Sequence, residues 1–267
     1  MTHGMDLGLA GKVALVTAAS EGLGFACAAR LAKAGCQIAI CGRRTDVLDL
    51  ARERLVSAGA GEVLAMPTDL ASAAAIEALV ARVLDQFGRI DILVVNSGHI
   101  AYGGLEDLTD DQWREASDLL LMSAVRLARL CVPAMRANKG GDIVFLGSAT
   151  THEPPPHLLL STVMRLGVAG LAKTLARALA PDNIRVNLVA PGYFDSGRVH
   201  ARVEALKREK GLSQQDAEAE IAGGLPVGRI GSPDELAELV AFVASRKAGF
   251  MTGTTIFIDG GGSRALF

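Results

Sequence analysis

The stretch of the chain with the clearest chemical potential reads Thr17, Ala18, Ala19, Ser20, Glu21, Gly22, Leu23, Gly24. It follows a short β-branched run and opens an alanine-rich helical pattern. Glycines at such a strand-to-helix turn let backbone N–H groups and the helix N-terminus approach a pyrophosphate. The same glycines would serve a tight turn that binds nothing, but the βαβ pattern that follows favours a nucleotide. About 20 residues on, a dinucleotide site places an acid against the ribose 2′-hydroxyl. Here the chain instead reads Cys41, Gly42, Arg43, Arg44. A guanidinium fork suits a 2′-phosphate, so Arg43 points to NADP(H) over NAD(H). A solvated pair at a helix start is the competing reading, and Glu21 would repel any phosphate it faced.

The elements that must position these residues follow from periodicity. Runs at 13–17, 37–41, 62–66, 91–96, 142–146, 185–189 and 255–259 read as strands, separated by helical patterns. One helical stripe is Ile76, Leu79, Val80, Val83, Leu84, Phe87. Thr109 to Gln112 and Ser232 to Glu235 read as capping boxes that start helices. The expected fold is α/β: a doubly wound, Rossmann-type parallel sheet of about seven strands with helices on both faces, in one domain over 1–267. Two segments break the rhythm. Residues 149–160 carry Pro154, Pro155 and Pro156, and residues 193–231 form a long charged insertion. Both begin at expected carboxyl ends of strands, where open parallel sheets bind ligands. They are expected to wall the substrate, with 193–231 as a lid. Leu158, Leu159 and Leu160 would form an apolar wall, and Arg198 and Arg202 would meet an anionic group.

Composition bounds the function. The 267 residues are long enough to bury a large core without disulfide or metal staples. Half of them are apolar and only 4 % aromatic, and 27 basic residues nearly balance 29 acidic ones. That excludes intrinsic disorder and a basic nucleic-acid binder. Cys27, Cys36, Cys41 and Cys131 form no C-x-x-C pair, so neither a metal site nor a disulfide framework is expected. No basic n-region leads into an apolar stretch at residues 1–12, and apolar runs such as 119–122 fall far short of the roughly 20 residues of a membrane span. A cytoplasmic protein without membrane or nucleic-acid partners is expected.

Together, Thr17 to Gly24, Asp69 with Leu70, Asn96-Ser97-Gly98, Gly141 to Ser148, Ile184 to Asn187, Pro191 with Gly192, and Thr252 to Gly261 resemble the short-chain dehydrogenase/reductase family. The resemblance covers nearly the whole chain and is nearest the 3-oxoacyl-carrier-protein reductase-like branch. It implies that Ala18, Ser20, Leu23, Asp69, Leu70, Asn96, Gly98, Pro191, Gly192 and Phe194 hold the dinucleotide, and Gly22, Gly24, Arg43, Ser97 and Arg165 complete the expected binding set. It also implies a homotetramer, built through the helical stretches 109–137 and 158–180 and through the C-terminal strand. The family's first turn glycine is Ala18 here, tolerable if φ stays negative.

The catalytic positions depart from the family. Ser148 matches its serine, but the tyrosine and lysine positions read Ser161 and Arg165, and the helix asparagine position reads Leu120. A serine hydroxyl is a far weaker acid than a tyrosine, and arginine does not shift to neutral as lysine can. The expected catalytic set is therefore Ser148, Ser161 and Arg165, with the two serines on the substrate oxygen. His99, Tyr102, His152, Glu153, His157 and Tyr193 are candidate proton carriers. The expected function is hydride transfer between NADP(H) and a small carbonyl or alcohol substrate with an altered proton donor. A non-redox lyase or dehydratase and a non-catalytic nucleotide-binding homologue are the alternatives.

Overall fold

The computed structural model describes residues 6–265. The first five residues of the N-terminal stretch and the extreme ends of the 1–267 domain lie outside the described residues. Seven strands form one parallel sheet: β1 (Val13–Val16), β2 (Gln37–Gly42), β3 (Val63–Pro67), β4 (Ile92–Val95), β5 (Gly141–Leu146), β6 (Ile184–Pro191) and β7 (Thr255–Ile258), in the order β3-β2-β1-β4-β5-β6-β7. Between them lie helices α1 (Gly22–Lys33), α2 (Thr45–Ser57), α3 (Ala73–Phe87), α4 (Asp110–Ala116), α5 (Ser123–Ala137), α6 (Leu159–Leu179), α7 (Gly197–Lys210), α8 (Gln214–Gly223) and α9 (Pro233–Val243). Every expected strand is present within two residues at either end.

β1 and β4 are buried along their whole length, because helices cover both faces of the sheet. One core layer holds Ile76, Leu79, Val80 and Val83 of α3 with Leu127 and Cys131 of α5 and Leu160, Met164 and Val168 of α6. The other holds Leu31 of α1, Leu48 and Leu55 of α2, and Leu236 and Val240 of α9. By length and composition α6 could cross a membrane, yet Leu160, Met164, Val168, Ala172, Ala176 and Leu179 are buried against the sheet. Both capping boxes form, at Thr109 with Gln112 and at Ser232 with Glu235.

The expected helical stretch 109–137 is not one regular helix. A π-helical segment, Ser117–Met122, separates α4 from α5. Ser123 Oγ donates to the Leu119 carbonyl at 2.6 Å, satisfying an acceptor in this irregular stretch.

The sheet is fastened at its entry edge by Asp91. Its carboxylate accepts from Val13 N at 2.9 Å, from Arg89 Nε at 2.8 Å and from Lys12 Nζ at 3.3 Å, with 4 % of the side chain exposed. Burial alone would raise its pKa, but Arg89, Val13 and Lys12 outweigh that and hold it below the ordinary 3.8. Asp91→Asn should lower folding stability by about 1.5–3 kcal/mol, the usual cost of losing hydrogen bonds to a charged group. Because the folded pKa is depressed, this advantage is complete above pH 3.8 and vanishes as pH falls through the folded value. Urea melts of both proteins at pH 7 and near pH 3 check the size and the convergence.

Candidate functional site

The sheet's strand order reverses direction between β1 and β4, the switch point where open α/β sheets bind ligands. Two side chains set its shape. The Thr17 hydroxyl donates to the Asn96 carbonyl at 2.7 Å and accepts from Asn96 N at 3.0 Å. Asn96 Nδ2 in turn donates to the Ala18 carbonyl at 3.0 Å. Ala19 N donates to the Cys41 carbonyl at 2.9 Å, so the turn is tied to β2 as well as to β4.

Gly22 adopts φ +58 and would meet only the Ser196 Cβ, at 3.9 Å, so the ground before it is open. At Gly24 a side chain would strike the Ala18 carbonyl at 2.5 Å, which explains why glycine is needed where α1 passes the turn. Ala18 contradicts one expectation. Its φ is +46, in the left-handed region, where an alanine costs roughly 1–2 kcal/mol. Neighbouring hydrogen bonds from Asn96 and to β2 hold it there.

A cavity of about 470 Å³ runs from this turn across the carboxyl ends of the strands. Of the expected binding residues, Ala18, Ser20, Gly22, Leu23, Arg43, Leu70, Asn96, Ser97, Gly98, Pro191 and Arg165 line it, and so does Ser161. The turn's open backbone and the cation beside it fit a phosphorylated dinucleotide. Arg43 is exposed and, among the described residues, belongs to no ion pair. Arg44 pairs with Glu21 at 2.8 Å. Glu21's charge is thereby met by Arg44, which eases its repulsion of a phosphate.

Other expected residues serve the walls instead. Gly24 packs under the turn, and Asp69 accepts from Ala71 N at 3.0 Å while its neighbours Thr68 and Leu70 line the cavity. Gly192 lies so near Asp259 that a Cβ would sit 2.8 Å from its Cα. Phe194 is buried with its ring over Gly231, anchoring both ends of the 193–231 insertion.

The catalytic set divides. Ser148 is 3 % exposed and does not line the cavity; its hydroxyl accepts from Thr150 N at 3.3 Å and Thr150 Oγ1 at 3.0 Å. Ser148 is thus engaged by Thr150, while Ser161 is the serine of the expected pair that lines the cavity. Ser161, on the first turn of α6, instead accepts from two guanidinium groups: Arg165 Nε and Arg198 Nη2, each at 3.3 Å. Arg165 Nη1 donates to the Leu146 and Gly147 carbonyls at 2.9 Å each, at the end of β5. Its removal from water, with the Arg198 charge nearby, pulls its pKa down to about 9, which still leaves it a cation at neutral pH.

Two of the candidate proton carriers, His99 and Tyr102, line the cavity. Partial burial and the charges of Arg198, Arg165 and Arg43 hold His99 below the ordinary imidazole range, against Glu21. The proline-rich loop lies elsewhere. His152 stacks on Phe257 with ring centroids 4.5 Å apart and meets Ser263 Oγ at 3.2 Å, while Glu153 accepts from Arg264 N at 2.9 Å. Neither they nor His157 and Tyr193 line the cavity. Leu160 belongs to the core, and Arg202 pairs with Glu209, so the apolar wall and half of the cationic lid are not formed as expected. The insertion contributes Ser196, Gly197 and Arg198 to the cavity, and its helices α7 and α8 make their own small core of Val199, Val203, Leu206, Ala217 and Ile221. Thr68, Leu119, Leu146 and Gly147 also line the cavity without having been expected to; each sits at or near the end of an element already counted. Among the described residues no cluster of His, Cys, Asp and Glu could hold a metal.

Known proteins share this fold. A family model described as enoyl-(acyl carrier protein) reductase matches residues 17–263. Dehydrogenase/reductase SDR family member 4 of Homo sapiens is 34 % identical over 254 residues, covering 95 % of this chain and 88 % of that protein. The crystal structure of L-sorbose reductase from Gluconobacter frateurii, complexed with NADPH and L-sorbose, superposes with a TM-score of 0.95 at 34 % identity, over 98 % of this chain and 100 % of that one. An actinorhodin polyketide ketoreductase with NADPH superposes with a TM-score of 0.91 at 30 % identity, over 95 % and 98 %.

Proposed function

Because the chain belongs to the short-chain dehydrogenase/reductase family and is an oxidoreductase of that type, we propose that it moves hydride between NADP(H) and a small carbonyl or alcohol substrate without the family's tyrosine and lysine. The observation that carries this reading is one cavity lined both by Arg43, which has no ion-pair partner among the described residues, and by Ser161 with Arg165. A bound nicotinamide supplies or accepts the hydride. The backbone of the 17–24 turn and the N-terminus of α1 hold the pyrophosphate, and Arg43 holds the 2′-phosphate. Asn96, Ser97, Gly98 and Pro191 line the part of the cavity assigned to the nicotinamide end.

At the reacting end Ser161 is the hydroxyl that meets the substrate oxygen. Its lone pairs accept from Arg165 and Arg198, which leaves its one hydrogen to donate. A unit charge at about 4 Å is worth ~4 kcal/mol at an effective dielectric of 20, so two guanidinium groups favour negative charge on an oxygen beside Ser161. Leu120 is buried in the core at the family's asparagine position, so no proton relay runs through that side chain. Ser148 caps the turn after β5 and acts through the backbone it holds.

We infer a cytoplasmic homotetramer. Val163 and Leu166 of α6 are 43 % and 47 % exposed, and Phe250 before β7 is fully exposed, so two apolar faces lack cover. Light scattering at micromolar protein should give four times the chain mass, and a monomer would refute the assembly.

Arg43→Glu should weaken NADPH binding by about tenfold or more and leave NADH binding nearly unchanged, since a charged hydrogen bond is worth about 1.5–3 kcal/mol. Fluorescence titration with both cofactors checks this, and equal changes would remove Arg43 from the 2′-phosphate.

Ordinary substrates such as acetoacetyl thioesters should be reduced slowly, because general acid catalysis contributes about 10²–10⁴-fold. Ser161→Tyr with Arg165→Lys should gain NADPH-dependent ketone reduction, and more than Ser161→Tyr alone. Strong native activity that survives Ser161→Ala would take the role from Ser161 and give it to Tyr102 or His99. Nucleotide binding without turnover of any substrate would favour the non-catalytic reading, and turnover without a change in cofactor absorbance the non-redox one.

A further inference from the structure

The reacting end of the cavity carries more positive charge than its own side chains balance. Arg165 and Arg198 both reach Ser161 Oγ, and among the described residues neither meets a carboxylate. Among the described residues Glu21 is the only acid that lines the cavity, and it is paired with Arg44 at 2.8 Å. Asp195, the nearest acid in sequence to Arg198, is taken by His200 at 2.7 Å. Arg165 spends Nε and Nη1 on Ser161 and two carbonyls, which leaves the two N–H groups of Nη2 without a partner. Arg198 spends Nη2 on Ser161 and leaves Nε and Nη1 free. Ser161 itself is 3 % exposed, so the oxygen between the two cations is enclosed.

Uncompensated guanidinium groups around an enclosed hydroxyl are costly unless an anion completes them. The cofactor's 2′-phosphate is provided for at Arg43 and its pyrophosphate at the backbone N–H groups of the 17–24 turn. We propose that Arg165 and Arg198 form a carboxylate-binding fork, and that the substrate is a short oxo acid or hydroxy acid. This rests on the oxidoreductase reading of the same cavity. Both guanidinium groups touch the hydroxyl that meets the reacting oxygen. The carboxylate therefore lies one or two carbons from the reacting carbon, as in a 2-oxo or 3-oxo acid. A planar carboxylate matches the remaining N–H pairs in a way that a neutral ketone does not. Arg198 enters from the first turn of α7, so the insertion selects the substrate by charge.

The test uses malonate as an anionic probe and pentane-2,4-dione as its uncharged counterpart, titrated calorimetrically into the free protein and into protein saturated with NADP⁺. Malonate should bind the wild type and pentane-2,4-dione at least tenfold more weakly. Arg198→Gln should weaken malonate at least tenfold and leave NADPH affinity and the melting temperature unchanged, and Arg198→Lys should recover part of the loss. In turnover, acetoacetate should exceed methyl acetoacetate in kcat/KM by at least tenfold. Equal malonate binding by wild type and Arg198→Gln, or no malonate binding to either form, would overturn the fork. Failure of NADPH to bind would overturn the oxidoreductase reading alone, because malonate titration of the free protein still reads the fork.

Discussion

Two parallel strands that carry their helices to opposite faces must part at their carboxyl ends, and here the gap is held by a threonine hydroxyl. Thr17 is fully buried and spans from β1 to the backbone of Asn96, and Asn96 answers through its amide to Ala18. The pair fixes both rims of the cleft with bonds that need no ligand. Ala18 can therefore be kept at a positive φ, because its carbonyl has a fixed partner and Ala19 is bound to β2. The open face of Gly22, the course of α1 and the position of Asn96 to Gly98 all follow from that one crossing. A site made this way is pre-organised, so binding a nucleotide costs little rearrangement of the turn.

The far end of the cavity is organised by charge rather than by backbone. Arg165 takes up two strand-end carbonyls that would otherwise face the cavity, and so does structural work that a shorter cation would do less well. The same side chain polarises Ser161 and carries an uncompensated charge. Under the proposed function, a serine and an arginine at the positions where the family resemblance puts a tyrosine and a lysine exchange a titrating pair for a fixed field. The first moves a proton readily near neutral pH, whereas the second stabilises an anion at every physiological pH.

Much of this was legible in the sequence. Seven short β-branched runs are strands because both faces of the sheet are covered, and capping residues at Thr109 and Ser232 mark helix starts by local bonds that tertiary packing does not override. The turn that lines one part of the cavity was legible for the same reason: its glycines and Arg43 are local in sequence. The reacting end was not, because it is assembled from distant segments. Arg198 reaches Ser161 across 37 positions, and nothing in the spacing of the insertion singles it out from Arg202. Ser148 and Ser161 read alike in sequence, yet Ser148 accepts from Thr150, two residues on, and Ser161 from Arg165 and Arg198. The π-helical segment was hidden because one extra residue per turn barely disturbs an apolar stripe. His152 read as a pocket residue only because its partners, Phe257 and Ser263, lie more than 100 positions downstream.

That last attachment sets an order of assembly. The loop after β5 is held by the final segment of the described chain, through His152 against Phe257 and Ser263 and through Glu153 against Arg264. The switch-point crossing needs nothing beyond β4. During synthesis from the N-terminus, the crossing from Thr17 to Asn96 can therefore form while the ribosome is still translating the insertion, whereas the loop after β5 is secured only after β7 has emerged. A nascent chain would hold the turn at the switch point well before it held the loop after β5.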